Sequence, residues 1–377
     1  MRIGVNTRLL LKNKIEGIGR FSIESLQRIC RSHPEHTFYF FFDRAYDPSF
    51  IFAENVIPVI VSPQARHPIL WKIWFNWRLP SLFKKHKIDV FLSPDGYLSS
   101  TSSIPQINVI HDLNFIHQPK DVPGWAGRYL RTEFPIFAKK AKHILTVSEF
   151  SKADIVACYH ISPEKISVCY NGVDDKFEPQ SKLIQEETRQ KYTEGKPYIL
   201  YLGALHPRKN ITRMLQAFDQ FKEQHPGDIQ FLIGGKKMWW TDEMEQQLNN
   251  MKHAKDVIFA GHIPQSDLPS IYSAAECLLY VSYFEGFGIP MIESMKSGTP
   301  VIASNKSCLP EIAGDAALFA DPYSVEDISQ KLNDLFQQES LSEELISKGL
   351  KRADDFTWDR TADIIWQTIE KVYAESL

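Results

Sequence analysis

Short apolar runs alternate along this chain with longer stretches whose apolar residues recur every three or four positions. The short runs predict strands at Arg2–Asn6, His36–Phe42, Val56–Val61, Asp89–Leu92, Gln106–Ile110, His143–Val147 and Ile166–Cys169. Helical spacing falls between most of them, as at Ile18–Cys30 and Glu149–His160. Such alternation builds a parallel sheet with helices on both faces. The pattern then restarts. Tyr198–Leu202, Ile229–Ile233, Val257–Ala260, Cys277–Val281, Pro300–Ala303 and Ala316–Phe319 predict a second set of strands. Helices are predicted at Ile211–Gln224, Asp242–Lys252, Ser266–Ala274 and Ile289–Ser297. Between the two series, Asp174–Lys196 is charged, poor in large apolar residues, and holds Pro179 and Gly195. The boundary belongs there. The first domain is expected over 1–178 and the second over 179–358. Ile364, Ile365, Ile369 and Val372 lie at helical spacing in Trp358–Ala374. They predict a closing helix, about 359–377, placed to pack back onto the first domain. The fold class is therefore α/β, with two Rossmann-like doubly wound parallel-sheet domains facing each other across a cleft.

A chain of 377 residues, 43% hydrophobic and 24% charged, can fill two such cores. A net charge of -3 gives no global reason to expect nucleic acid. Five scattered cysteines with no C-x-x-C pair argue against a disulfide framework or a zinc site. The opening MRIGVNTRLL predicts a first strand rather than a signal peptide, and no apolar run is long enough to span a membrane. A cytoplasmic protein is expected, with peripheral contact on the inner membrane face left open.

In doubly wound sheets, ligands sit beyond the carboxyl ends of the strands, where loops and helix starts point N–H groups outward. The segment YFEGFGIPMIE at 283–293 follows the strand ending near Val281. Gly286 and Gly288 let the backbone approach a ligand closely, and Pro290 suits the first turn of a helix. Glu285 and Glu293 flank that donor-rich loop. Carboxylates that accept from hydroxyls, beside N–H groups that donate to them, fit a polyol. A tight turn with a capping glutamate is the plainer alternative.

These residues, followed by SGTPVIAS at 297–304 and LPEIAGD at 309–315, closely resemble the retaining GT-B glycosyltransferases of family 4, also called group 1. The resemblance covers the whole C-terminal half. It implies two Rossmann-like domains, the first (1–178) binding the acceptor and the second (179–358) binding a nucleoside-diphosphate sugar as donor in the cleft, and no obligatory metal or other cofactor. It places Glu285 and the backbone of Phe287, Gly288 and Ile289 on the donor sugar, and Glu293 on the ribose.

LGALHPRKN at 202–210 follows the first strand of the second domain and is predicted to open a helix. Gly203, Arg208 and Lys209 there make an anion site by simple electrostatics. The growing charge of a diphosphate leaving group needs such cations. Lys209 falls on the family's diphosphate-binding lysine. Many members carry arginine directly after the glycine, where this chain has Ala204, so Arg208 is the candidate replacement. VIHD at 109–112 puts His111 on the family's histidine that points at the donor sugar. IEGIGRF at 15–21 resembles the family's N-terminal glycine loop, with Gly17 and Gly19 near the donor phosphates. It fails as a dinucleotide fingerprint because the third glycine is absent. Asn171-Gly172 is assigned hinge geometry. Ile263, in the loop after another second-domain strand, is expected to border the nucleobase.

One feature is no family motif. Residues 66–87, RHPILWKIWFNWRLPSLFKKHK, hold six Lys/Arg, three tryptophans and no acid. Such a segment suits an anionic membrane surface, or else a helix with a large buried face and a solvated basic end.

The sequence thus predicts transfer of a hexose from a nucleoside-diphosphate sugar to a glycan or lipid-linked acceptor, with anomeric retention if the family carries over. The PRKN string resembles bacterial mannosyltransferases of polysaccharide assembly, which makes GDP-mannose the expected donor. The alternatives are a GT-B-like epimerase or inverting transferase, a nicotinamide dehydrogenase, and an inactive sugar-nucleotide-binding scaffold. The dehydrogenase is disfavoured because the glycine fingerprint is missing.

Overall fold

The computed structural model describes residues 1–12 and 17–377. Two compact units emerge: Met1–Gly172 together with Trp358–Leu377, and Val173–Thr357. The first contains strands β1 (Arg2–Asn6), β2 (Thr37–Phe42), β3 (Val56–Ile60), β4 (Val90–Ser93), β5 (Gln106–Val109), β6 (His143–Thr146) and β7 (Ile166–Val168). They form one sheet in the order β3-β2-β1-β4-β5-β6-β7. The second contains β8 (Tyr198–Leu202), β9 (Gln230–Gly234), β10 (Val257–Gly261), β11 (Cys277–Tyr280), β12 (Val301–Ser304) and β13 (Leu318–Ala320). Their order is β10-β9-β8-β11-β12-β13. Every described pairing is parallel. Helices cover both faces of such sheets, so strands inside them are buried from end to end: all residues of β4, β8, β9 and β11 are buried.

Strand order reverses between β1 and β4 in the first sheet and between β8 and β11 in the second. These reversals are where loops diverge to opposite faces and leave a crevice at the carboxyl ends.

The last helix, Trp358–Ala374, belongs to the first unit. It packs on the helix Gly17–Ser32, where Arg28 pairs with Asp359 at 2.7 Å. The Trp366 ring also stacks on His33 at 3.6 Å.

The stretch Asp174–Lys196 contains a helix at Lys182–Thr193 that the apolar pattern did not predict. Large apolar residues contribute little to it, since Leu183 is 65% exposed. Polar contacts hold it instead. Ser181 caps its N-terminus, Arg189 pairs with Glu276, and Lys191 and Tyr192 both donate to Asp267. Periodicity of apolar residues could not reveal such a helix.

One sequence expectation needs correction, that of the Arg208-Lys209 motif as the opening of a helix. The motif does not run straight into a helix. Pro207–Lys209 is one 3-10 turn, Asn210 adopts a left-handed conformation at φ 65°, and only then does the helix Ile211–Gln224 begin. The Asn210 amide secures this corner by donating to the carbonyls of Val281 and Pro322 at 3.0 and 2.8 Å.

The Trp-rich basic segment folds as helix Pro68–Ile73, a π turn at Trp74–Arg78, and helix Leu79–His86. The widened turn keeps Trp71, Trp74, Phe75, Leu79 and Phe83 facing inward. The buried indoles donate to carbonyls, Trp71 to Ala65 at 2.6 Å and Trp74 to Val61 at 2.9 Å.

Candidate functional site

In the second unit, β8 and β11 flank the reversal of strand order, and the loops that follow them are bonded together. Tyr283 N–H donates to the Arg208 carbonyl at 2.9 Å. The Arg208 guanidinium donates to the Phe284 carbonyl at 2.9 Å and to Glu285 Oε2 at 3.1 Å. Lys209 Nζ donates to Glu285 Oε1 and, at 3.1 Å, to the Tyr280 hydroxyl. Tyr280 in turn donates to Glu285 Oε1 at 3.1 Å. One carboxylate, two cations and a phenol thus share one buried cluster. Burial pushes the Glu285 carboxyl up, but Lys209 and then Arg208 outweigh it and bring its pKa down to about 2. The Tyr280 hydroxyl is driven well above its ordinary value by burial and by the Glu285 charge.

Backbone contacts fix the carboxylate's position. Glu285 N–H donates to Ser307 Oγ at 3.2 Å, and the Cys308 thiol donates to the Glu285 carbonyl at 3.2 Å. Gly288 stands at φ 93°, which side chains rarely adopt, and a Cβ there would come within 2.8 Å of Leu309. It caps the helix Ile289–Lys296, whose first turn carries Pro290. The Phe287 ring packs edge-on against Phe356 at 5.6 Å. Ile289 opens the helix directly after that cap, so the segment 286–289 leads into a helix N-terminus, where backbone N–H groups favour an anion or hydroxyl partner.

Glu293 lies on that helix, 4% exposed, and its Oε2 accepts from the Tyr272 hydroxyl at 2.9 Å. Ile263 is buried beside Gly234, where an added Cβ would sit 3.0 Å from it. Gly203 directly follows β8, and its N–H donates to the Gly234 carbonyl at 3.0 Å. Ala204 is exposed, and its carbonyl accepts from Tyr201 at 2.9 Å.

His111 belongs to the first unit, just beyond β5. Its Nε2 is 2.8 Å from the Pro94 carbonyl, which fixes the proton on Nε2 when the ring is neutral. Phe21 packs edge-on to the imidazole at 4.9 Å. Burial lowers its pKa below the ordinary 6.5, against the opposing pull of Pro94 and of Asp112 and Asp95. Gly17 and Gly19 lie in the first turn of the helix Gly17–Ser32, with Gly17 exposed and Gly19 buried. Ile15 and Glu16 of the same motif lie outside the described residues.

Residues 184–352 match the family described as "Glycosyl transferases group 1", and residues 16–177 match "Glycosyltransferase Family 4". The chain belongs to this glycosyltransferase family. O-antigen chain mannosyltransferase B of Escherichia coli is 28% identical over 93% of this chain and 94% of its own. O-antigen chain mannosyltransferase RfbU of Salmonella typhimurium is 28% identical over 72% and 73%. The fold matches that of Anabaena HepE, solved with UDP and glucose, with a TM-score of 0.77 at 17% identity over 98% of this chain and 99% of that one. It also matches WaaG, a glycosyltransferase involved in lipopolysaccharide biosynthesis, with a TM-score of 0.73 at 17% identity over 97% and 99%.

In this glycosyltransferase the second unit brings Arg208, Lys209 and Glu285 into one cluster, with Gly288 and Ile289 in the adjoining turn. Two tyrosines joined to the site escaped the sequence reading. Tyr280 sits inside the apolar strand CLLY, where only its hydroxyl betrays a polar task. Tyr272 lies on a six-residue helix, Leu268–Ser273, and nothing in its neighbourhood signals a carboxylate partner.

Proposed function

We propose that the chain transfers mannose from GDP-mannose to a hydroxyl of a glycan or lipid-linked acceptor in bacterial polysaccharide assembly, with retention of anomeric configuration. The observation that carries this reading is the Arg208-Lys209-Glu285 cluster at the strand-order reversal, under the Gly286–Gly288 turn. The mannosyl assignment leans on the relatives' names and the PRKN string.

The donor's diphosphate takes Arg208 and Lys209, which neutralise it as it leaves. Glu285 and the backbone of Phe287, Gly288 and Ile289 take the sugar hydroxyls, and Glu293 takes the ribose. Gly203 lets the diphosphate approach the β8 terminus, and Ile263 borders the base. By the family resemblance alone, Gly17 and Gly19 are assigned to the donor phosphates and His111 to the donor sugar. The bond from C1 to the leaving phosphate oxygen breaks as the acceptor oxygen bonds to C1 on the same face. The acceptor proton passes to that phosphate oxygen. The cations of the chain supply the charge, and no metal or further cofactor has a part in this scheme.

The exposed side of Pro68–His86 supports peripheral attachment to the inner membrane face. Ile69 and Trp77 are 64% and 69% exposed, among the exposed cations Arg66, Arg78, Lys84, Lys85 and Lys87.

The test is a thermal-shift screen of GDP-, UDP- and ADP-sugars, then NMR of the product's anomeric centre. A shift with GDP-mannose and an α-linked product are expected. Stabilisation by another nucleotide alone would overturn the donor, and an inverted product would overturn retention.

A further inference from the structure

Among the described residues, one group of three metal-ligating side chains converges outside the donor scheme: His117, Asp154 and Cys158, all in the first unit. His117 Nε2 lies 2.8 and 2.9 Å from the two Asp154 carboxylate oxygens, and the Cys158 thiol donates to Asp154 Oδ1 at 3.4 Å. The three ligand atoms stand within 4.8 Å of one another. Cysteine spacing gives no sign of this group, because it holds one cysteine and its histidine lies 37 residues from Asp154.

The backbone brings the ligands together. Asp154 and Cys158 are one turn apart on the helix Glu149–Tyr159, so they share a face. His117 ends the helix Asn114–His117. Beneath the group, Phe115, Ile116, Ile155, Tyr159 and Cys158 itself pack into one apolar cluster. Ser151 Oγ, at the start of the longer helix, donates to the His111 carbonyl at 3.1 Å, and the Asn114 N–H donates to Asp112 at 2.9 Å. Core packing and the His111 segment thus hold the two helices against each other. The group itself is open: His117 is exposed, and Asp154 and Cys158 are partly covered.

Imidazole, carboxylate and thiolate together are a zinc-type donor set, whereas magnesium and calcium take oxygen ligands. Zinc bonds of about 2.0–2.3 Å span separations of this size after small side-chain rotations. Two anionic ligands and a neutral imidazole also balance the charge of a divalent ion. Without the ion, burial and then the Asp154 charge push the Cys158 pKa up to about 11, so the thiol is protonated at neutral pH. Binding replaces both hydrogen bonds to Asp154. The thiol proton passes to solvent, the sulfur and Nε2 bond to the metal, and the His117 ring proton sits on Nδ1.

The geometry points to a binding site for a zinc-type divalent cation at His117, Asp154 and Cys158, with a fourth position left to water. The ion ties the helix Glu149–Tyr159 to the segment that follows His111. None of Arg208, Lys209 or Glu285 takes part, so the site stands or falls independently of the donor reading.

Tag-free, metal-stripped protein is titrated with Zn²⁺ by calorimetry and with Co²⁺ by absorbance, in wild type, Cys158→Ser, His117→Gln and Asp154→Asn, each checked for folding by circular dichroism. Wild type should bind one equivalent of zinc and give a thiolate-to-cobalt charge-transfer band in the near ultraviolet. The band should vanish in Cys158→Ser, and zinc affinity should fall at least about tenfold in His117→Gln and in Asp154→Asn. Zinc should also protect Cys158 from iodoacetamide in wild type and not in His117→Gln, a clean readout because the other four cysteines are buried. A missing band, a band that survives in Cys158→Ser, or equal zinc affinity in wild type and His117→Gln would overturn the site and leave an ordinary His117–Asp154 ion pair beside a thiol.

Discussion

Lys209 and Glu285 are bonded to each other across the strand-order reversal, with only 7% and 5% of their surfaces exposed. A diphosphate that binds Lys209 must compete with this carboxylate. Glu285→Gln should therefore bind GDP more tightly, by about tenfold, because charge-assisted bonds are roughly twice as strong as neutral ones. It should still lose at least about a hundredfold in kcat, the scale seen when one oriented electrostatic group is removed. Calorimetry and turnover check the two effects separately. Weaker GDP binding in Glu285→Gln would show that the carboxylate assists the nucleotide rather than competing with it. Glutamine is the informative change. Truncation to alanine leaves Lys209 buried beside Tyr280, and breaking a buried pair costs about 3–5 kcal/mol.

Tyr272 holds Glu293 in place through a bond whose partners are both almost fully buried. Its own position is secured by the Phe177 ring at 5.9 Å and by Thr299, which donates to its carbonyl at 2.7 Å. Tyr272→Phe keeps that packing and removes only the hydroxyl. The donor KM should rise about three- to tenfold, matching a hydrogen bond worth about 1 kcal/mol, with kcat little changed. An equal fall in kcat at unchanged KM would place Tyr272 in the chemical step instead.

Most strands were legible because they are largely buried and read as short apolar runs, although β3 and β10, at the edges, are only partly covered. Tyr198–Leu202 and Arg2–Asn6 coincide with the reading residue for residue. Glu285 and Lys209 were legible as motifs, but their bond was not. It joins residues in the loops that follow two non-consecutive strands, β8 and β11, and only the reversal of strand order makes those strands neighbours. The helix at Lys182–Thr193 was hidden for a related reason, since its support comes from Glu276 and Asp267 far along the chain. Tyr280 illustrates the converse. Periodicity assigned it to the strand, and a strand residue's polar tip gives no sign of its partner.

Acid should weaken the fold in two windows. The His111 pKa is lowered in the folded state, so the unfolded chain takes up the proton more readily, and stability falls as pH drops below 6.5. The Glu285 pKa is lowered from 4.5 to about 2, so its contribution is complete above 4.5 and is lost as pH falls through that interval. Melting temperature followed against pH should lose part of its upper dependence in His111→Asn, with His36, His86 and His143 supplying the rest, and part of its lower one in Glu285→Gln, with Asp47, Asp267 and Asp315 supplying the rest. At pH 7 His111 is neutral, with its proton on Nε2 toward Pro94. A histidine NMR titration that puts its midpoint above 6.5 would contradict that state.

Gly288→Ala should destabilise by about 1–3 kcal/mol, since a Cβ meets Leu309 at 2.8 Å and the backbone stands at φ 93°. Because the same turn orients Glu285 and opens the helix that carries Glu293, donor affinity should fall together with the melting temperature. Leu309→Ala in the same background should relieve the clash but not the dihedral, so recovery should be partial. Full recovery would mean that the left-handed conformation itself is not needed.

Membrane attachment makes the last prediction. Trp77 and Ile69 offer apolar side chains to an interface, while Lys84 and Lys85 add charge on the same helical segment. Each cation near an anionic surface contributes about 1 kcal/mol. Lys84→Ala with Lys85→Ala should then weaken binding to phosphatidylglycerol vesicles by roughly ten- to thirtyfold, and salt should weaken it further. Trp77→Ala should weaken it without changing that salt dependence, because it removes insertion and leaves the charge. Flotation with vesicles of graded anionic content separates these effects. Equal binding to neutral phosphatidylcholine vesicles, or none to anionic ones at low salt, would leave Pro68–His86 as a packing element with a solvated basic face. Trp71 and Trp74 would then account for its tryptophan content, since both are buried and bonded to the β3–Pro68 connection.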